Sequence, residues 1–525
     1  MRRALATGWH ARRLQLGALC MVCCVVCCLL APLAAQAQSK LGYYRRDADE
    51  ANRQRMATQF RNDAARAEQR LNELRQRNTH ANSNSAGSTS SSTRQGRAAV
   101  SPLSGFSGGG GDSGPAAIES SVTTTVRVRE TESETAARIL AEARSGRPEA
   151  MWNAGRLLYT GGYGGVARND AQALAWFRKA AEAGHPGAAT AVGEALLFGH
   201  GVPAQPAEAL RWLRMGAEGG EPRAQLQWGM ALLKGEGGTA TDTAAGRRWL
   251  DAAVQGGERH AQWLAGSERR QGGLWPKDVA EARRLLALAA AQQQAQAMAE
   301  LAEMHFAGEG GLRDLAEARR LFAAAAGLEE PGAMTNAALM AFRGEGGPAE
   351  PAQATAWLRA AAGRLNHADA QYALGARLFE GAGLPQDKAE AATWLARAAA
   401  QQQRDALGLY GAMLTWGEAV PQDTARGVAM LRAGAQAGAV LAAEYLGDVL
   451  FKERGPVPQD LPEAARWNRV AAEAGRWGGM LRYGLALKHG LGVPQNRREG
   501  YRWLREAADR GMAAAREHLD PADAR

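Results

Sequence analysis

Beyond residue 28 the chain contains no cysteine; all five, Cys20, Cys23, Cys24, Cys27 and Cys28, crowd into one apolar stretch near the N-terminus. That absence excludes disulfides, thiol nucleophiles and Cys-ligated zinc from everything downstream. Aromatic residues are scarce too, 6% of 525 residues, against 63 glycines and abundant alanine. Such a composition suits closely apposed helices better than one thick core. A basic stripe is also missing. Most of the formal charge of +9 falls before residue 81: four arginines before residue 40, then ten Lys/Arg against six Asp/Glu over 40–80. The remaining body is near neutral, so nucleic acid is not an expected partner. No S-x-x-K, H-E-x-x-H, Walker loop or metal-spaced His cluster occurs, so no catalytic residue, metal or cofactor is expected. Gly105-Phe106-Ser107-Gly108-Gly109 spells G-x-S-x-G. It sits in low-complexity sequence rather than the strand–turn–helix the esterase motif requires, and is read as chance.

The one long apolar run, about Ala18 to Leu30, follows Arg2, Arg3, Arg12 and Arg13 and precedes Ala35-Gln36-Ala37. Basic, apolar and small-residue segments in that order read as an export signal over 1–37, with cleavage near Ala37. The alternative is an uncleaved signal anchor in the inner membrane. The expected location is accordingly periplasmic or secreted, with membrane attachment only if the apolar segment is retained. Residues 38–77 are charged and helix-friendly, and Ala57, Phe60, Ala64, Ala67, Leu71 and Leu74 follow a heptad spacing. The segment is either a short coiled coil through which the chain self-associates or a solvated single helix. From 78 to 134 the chain is dominated by Ser, Gly, Asn and Thr in its first two thirds, the composition of a flexible linker.

Past residue 135 a period takes over. A bulky residue recurs at Trp176, Trp212, Trp249, Leu285, Leu321, Trp357, Trp394, Met430, Trp467 and Trp503, at intervals of 36 or 37 without a slip. Three before and four after it, every unit has Ala or Gly, spacings that fall on one helical face. The bulky residue is expected to act as a knob entering a neighbour's small-residue hole. An earlier helix in each unit is marked by Gly155, Gly193, Gly229, Gly266, Ala302, Ala338, Gly375, Gly411, Gly447 and Gly484. Glycine in a helix costs about 1 kcal/mol relative to alanine, so its repetition implies a second helix pressed on the backbone there. Eight units carry Asp or Asn seven residues before the bulky position (Asn169, Asp242, Asp278, Asp314, Asp387, Asp423, Asp460, Asn496), where a side-chain acceptor would cap a helix. Each unit is thus helix–turn–helix, too small to bury its own face, and must stack on its neighbours.

The turn and helix signature appears most fully as Gly490-Leu491-Gly492-Val493-Pro494-Gln495-Asn496 followed by Gly500, Trp503, Ala507, Ala508 and Gly511. It resembles the Sel-1-like repeat (SLR) family, relatives of tetratricopeptide repeats, over roughly 135–520. The resemblance implies an all-α, right-handed α/α superhelical solenoid of about ten 36–37-residue repeats with a capping helix near Ala513–Leu519. It also implies a scaffold that holds protein or peptide partners in a groove lined by the first helices, in envelope assembly, regulation or host contact. The penicillin-binding, cysteine-rich branch of that family is not matched, because its per-repeat cysteine pair is absent here.

Groove candidates follow from positions three before and four after the first-helix glycine: Trp152, Tyr159, Trp263, Phe306, Phe342, Tyr372, Phe379 and Phe451. These side chains either line a peptide groove or pack on the neighbouring helix. Arg269 and His305 stand where other units carry Leu, marking either a polar site or drift of the repeat. His185, His260 and His367 recur just before first helices and read as scaffold residues. A cell-envelope hydrolase or peptidoglycan-binding protein is the competing expectation. It would need clustered acid and base residues that the periodicity does not offer.

Overall fold

A computed structural model of the protein describes residues 131–452 and 457–519. The signal, the charged segment and nearly all of the linker lie outside the described residues. Among the described residues the structure is helical throughout, with 22 α-helices and no strand. Thr131 caps the opening helix Glu132–Glu142 reciprocally with Glu134, so regular structure begins inside the stretch expected to be linker.

Two helices then alternate ten times. First helices are Pro148–Thr160, Pro186–Phe198, Pro222–Lys234, Arg259–Gln271, Ala295–Ala307, Pro331–Arg343, Ala368–Glu380, Arg404–Trp416, Val440–Phe451 and Trp477–His489. Second helices are Asp170–Glu182, Pro206–Glu218, Thr243–Gln255, Val279–Ala291, Leu315–Gly327, Pro351–Arg359, Lys388–Ala400, Thr424–Gln436, Leu461–Glu473 and Arg497–Asp509. Nearly all have 13 residues, about 20 Å. The C-terminal cap is shorter than expected, Ala513–Arg516.

Local chemistry sets these boundaries. Asn169, Asp242, Asp278, Asp314, Asp387, Asp423, Asp460 and Asn496 each accept a backbone N–H in the first turn of a second helix. The other two second helices begin with Pro206 and Pro351, which remove an orphan donor instead. First helices mostly end on glycine in the left-handed region, as at Gly199 (φ 79°) and Gly490 (φ 74°).

The chain forms two compact units, meeting in sequence at Ala252 and Ala253. In the first, an added Cβ at Gly193 would lie 2.6 Å from Leu213 Cγ, and Phe177 occupies the same place over Gly155. In the second, Leu286 covers Gly266, Leu395 covers Gly375 and Leu504 covers Gly484. The helices therefore do press on the glycine backbone, as the repetition implies. Alanines of the two small columns, such as Ala173, Ala180, Ala391 and Ala398, are fully buried.

The knob itself differs from expectation. Trp176, Trp212, Trp249, Trp357, Trp394 and Trp503 are only half-buried, and Trp467 alone among the marker tryptophans is buried. The residue that fills the hole is the next one along: Phe177, Leu213, Leu250, Leu286, Phe322, Leu358, Leu395, Leu431, Asn468 and Leu504, all at most 3% exposed. One residue is about 100° around a helix. That rotation leaves the indole at the core's edge, where its N–H can reach a carboxylate, as Trp212 does with Glu208 and Trp394 with Glu390. Asn468 breaks the apolar column and donates to Gly447 O (3.2 Å). Where the bulky position is aliphatic, Leu285 and Leu321 sink into the core.

Within the second unit, successive first helices touch, as Arg404–Trp416 does Val440–Phe451, whereas successive second helices do not meet to a comparable extent. Gly408 allows that approach, since a Cβ there would lie 3.1 Å from Ala442 N. First helices thus form the tighter layer. One 37-residue interval, Trp357 to Trp394, includes a π-helical turn at Ala360–Arg364, closed by Leu365 N–H donating to Ala360 O (3.2 Å). The extra residue is taken up there, keeping Gly375 in phase with its partner helix.

Acceptors also sit before first helices. His185, Glu258, Glu330 and Gln403 each take a backbone N–H from the first turn. His367 occupies the same place without such a bond, and His260 lies within its helix. Burial raises the Glu330 carboxyl above its ordinary value despite the N–H bonds from Ala333 and Gly332. Its folded pKa therefore exceeds the unfolded one, so the ionised form destabilises the fold above that pKa, and this cost disappears as pH falls through it. Glu330→Gln, which keeps the acceptor as Gln403 does, should raise the neutral-pH Tm by on the order of 2 °C. The gain should shrink towards pH 4; thermal melts at pH 7.5 and 4 read both.

Candidate binding surface

The sequence-derived groove residues divide between packing and exposure. Tyr159 and Trp263 are buried, the latter donating its indole N–H to Glu300 (2.9 Å). Trp152 packs between Phe177 and His185, with centroids 5.0 and 5.1 Å away. Phe306, Phe342 and Phe379 are half-buried beneath the cations of Arg313, Arg377 and Lys388. Tyr372 is half-buried, and burial, helped by the nearby Asp405 and Glu380 carboxylates, pushes its hydroxyl up to about 12. Phe451, also half-buried, packs against the buried cluster that includes Leu446 and Leu450.

Arg269 and His305 are structurally engaged. Arg269 lies over the ring of Trp275, 4.6 Å from its centroid, and Trp275 is itself buried. His305 accepts from Arg283 Nη2 (3.0 Å). Burial and the Arg283 charge lower its pKa, favouring the neutral imidazole. Arg270 bridges Glu303 and Glu309, each at 2.9 Å. Arg270 and the Arg283–His305 pair link neighbouring repeats, whereas the Arg269–Trp275 contact stays within one.

A further surface with a concave shape lies elsewhere, and sequence reasoning missed it. A cleft of about 560 Å³ opens on the first-helix layer of the last three repeats, lined by Trp416, Glu444, Tyr445, Asp448, Arg476 and Trp477, with Gly475, Gly478, Arg482 and Met512. Trp416 ends one first helix, Tyr445 sits midway along the next and Trp477 opens the third. Trp416 is 40% and Trp477 53% exposed, among the largest apolar side chains left in solvent. Trp416 meets Tyr445 edge-on at 5.5 Å. On the floor, Arg476 Nε is 2.6 Å from Glu444 Oε2 and Arg482 Nη2 is 2.5 Å from Asp448 Oδ1. A side chain at position 478 would run into both Glu444 and Arg482, so Gly478 keeps the floor open. Burial raises the Tyr445 pKa, helped by the Glu444, Glu418 and Glu380 carboxylates and opposed by Arg476.

A signal for this cleft did exist. Trp416 occupies a column that elsewhere is mostly polar, as at Thr160, Lys234, Gln271, Glu380 and Lys452, with Phe198 its one other large aromatic. Trp477 stands where six other first helices have proline or alanine next to the cap, as at Pro186 and Pro331. A tryptophan in a column otherwise mostly polar or small, at both places, was the clue. Its lining supplies aromatic faces and paired charges, the chemistry of recognition. Among the described residues no group of three His, Cys, Asp or Glu is placed to hold a metal ion.

The Sel1 repeat model matches ten consecutive segments: 148–185, 186–221, 222–258, 259–293, 295–328, 331–363, 368–402, 405–438, 440–475 and 478–512. Among solved structures, the protective antigen c5321 of uropathogenic Escherichia coli, displaying an SLR fold, is 25% identical with a TM-score of 0.55. That likeness covers 72% of this chain and 80% of the antigen. A Sel1 repeat protein of Oxalobacter formigenes is 29% identical over 59% of this chain and 89% of its own, with a TM-score of 0.41. No curated protein matches.

Proposed function

This chain belongs to the Sel1 repeat family, and on that premise we propose that it is an exported, non-catalytic scaffold that holds a protein partner on its first-helix layer. The family's helical repeats generally serve protein–protein interaction. The observation that carries the reading is the cleft flanked by Trp416 and Trp477, two large side chains held at the surface by a fold that buries most of its others. Exposed aromatics grouped with arginine are the usual anchors of protein interfaces. The apolar N-terminal run would direct the chain to the periplasm or beyond, or retain it at the inner membrane. Residues 43–77 would add self-association.

The test compares the full-length chain with a Trp416→Ala, Trp477→Ala double variant in capture from the cell envelope. The wild type should retain a specific protein, and the double variant should lose at least ~10-fold of it, about 1.4 kcal/mol, at unchanged helicity and Tm. Equal retention by both, or none by the wild type, overturns the reading.

A further inference from the structure

The ion pairs in the cleft are lopsided. Glu444 and Asp448 have side chains only 13% and 10% exposed, whereas their partners Arg476 and Arg482 are 48% and 23% exposed. Lys452, 53% exposed, sits 2.8 Å from the second oxygen of Asp448. Within the lining, two carboxylates lie beneath the more exposed side chains of two arginines. Of the acids acting on Tyr445 from outside the lining, Glu418 is paired with Lys388 at 2.6 Å and Glu380 is an exposed carboxylate at the end of the first helix Ala368–Glu380. A guanidinium offers five N–H donors, and one carboxylate below leaves several of them for a ligand. Being held from beneath, these side chains lose little freedom when a second anion arrives.

From this asymmetry we propose that the cleft docks an acidic segment of the partner. An extended peptide would place an Asp or Glu carboxylate on Arg476 and Arg482 and an apolar side chain against Trp416 and Trp477. The apolar contact would shield the charge-assisted bonds from water and strengthen them. A basic segment would meet the exposed cations first and be repelled. A sugar would use the indole faces but take no account of the charge at position 476.

The inference rests on the scaffold reading, and its test separates the two. A fluorescein-labelled peptide of alternating Glu and Leu with blocked ends is titrated with the full-length chain, beside its Lys–Leu counterpart. The Glu–Leu peptide should bind, should weaken at least ~5-fold with Trp477→Ala and with Arg476→Gln, and should weaken as salt rises. Circular dichroism confirms that the variants fold. Equal binding of the Lys–Leu peptide, indifference to Arg476→Gln, or equal competition by an N-acetylglucosamine trimer overturns the acidic occupant. If neither peptide binds while the double tryptophan variant still loses its captured protein, the acidic chemistry falls and the scaffold stands. If capture also survives that variant, both fall.

Discussion

Replacing Gly427 by leucine should destabilise the protein by at least about 3 kcal/mol and lower its Tm by about 6 °C or more. Gly427 lies in a second helix against the preceding first helix. An added Cβ would stand 2.7 Å from both Gly411 O and Thr415 N. Both are backbone atoms, so relief requires the two helices to part, and the small-residue columns that seat them would lose contact together. Gly327 is the internal control: it is exposed at the end of its helix, with nothing within 4 Å of an added Cβ. Gly327→Ala should therefore gain about 0.5–1 kcal/mol from reduced freedom of the unfolded chain. Urea unfolding followed by circular dichroism measures both. A Gly427→Leu variant as stable as wild type would mean that close backbone approach is not what the glycines provide.

Leu395→Ala should cost about 3 kcal/mol, whereas Trp394→Ala, removing a far larger side chain one residue earlier, should cost about 1 kcal/mol. Leu395 is fully buried over Gly375, and its loss leaves a hole that rigid helices cannot close. Trp394 lies at the edge, its ring under the Arg397 cation at 4.8 Å and its N–H on Glu390. Much of that indole is already wet, and water can take its place. The reverse ranking in unfolding experiments would restore the tryptophan as the knob.

That pair shows what could be read in advance. The period, the Asp and Asn caps and the close approach at the glycines were legible because each repeats in register and has a local physical cause. The filling column was legible too, as Leu or Phe in nine units and Asn468 in the tenth. Attention to the largest side chain placed the knob one residue early, and only the packed helix pair shows which direction points inward. Arg269 and His305 broke the pattern by residue type, yet their partners Trp275 and Arg283 come from a turn and a second helix that no column comparison would join to them. The cleft was hidden for a related reason. Its residues come from three repeats and the cap, all but Glu444 outside the two columns chosen as groove-facing, and their convergence is a property of stacking rather than of any one repeat.

The π-helical turn at Ala360–Arg364 bears on how such a chain changes over generations. One codon inserted inside an ordinary helix would rotate everything after it by about 100° and turn the filling residue away from its glycine. Here the wider turn swallows the extra residue before the next repeat begins. Viable insertions and deletions should therefore come in two sizes, a single residue at such junctions or a complete repeat. Lineages descended from one ancestral array could differ greatly in length while every surviving repeat keeps its original partner.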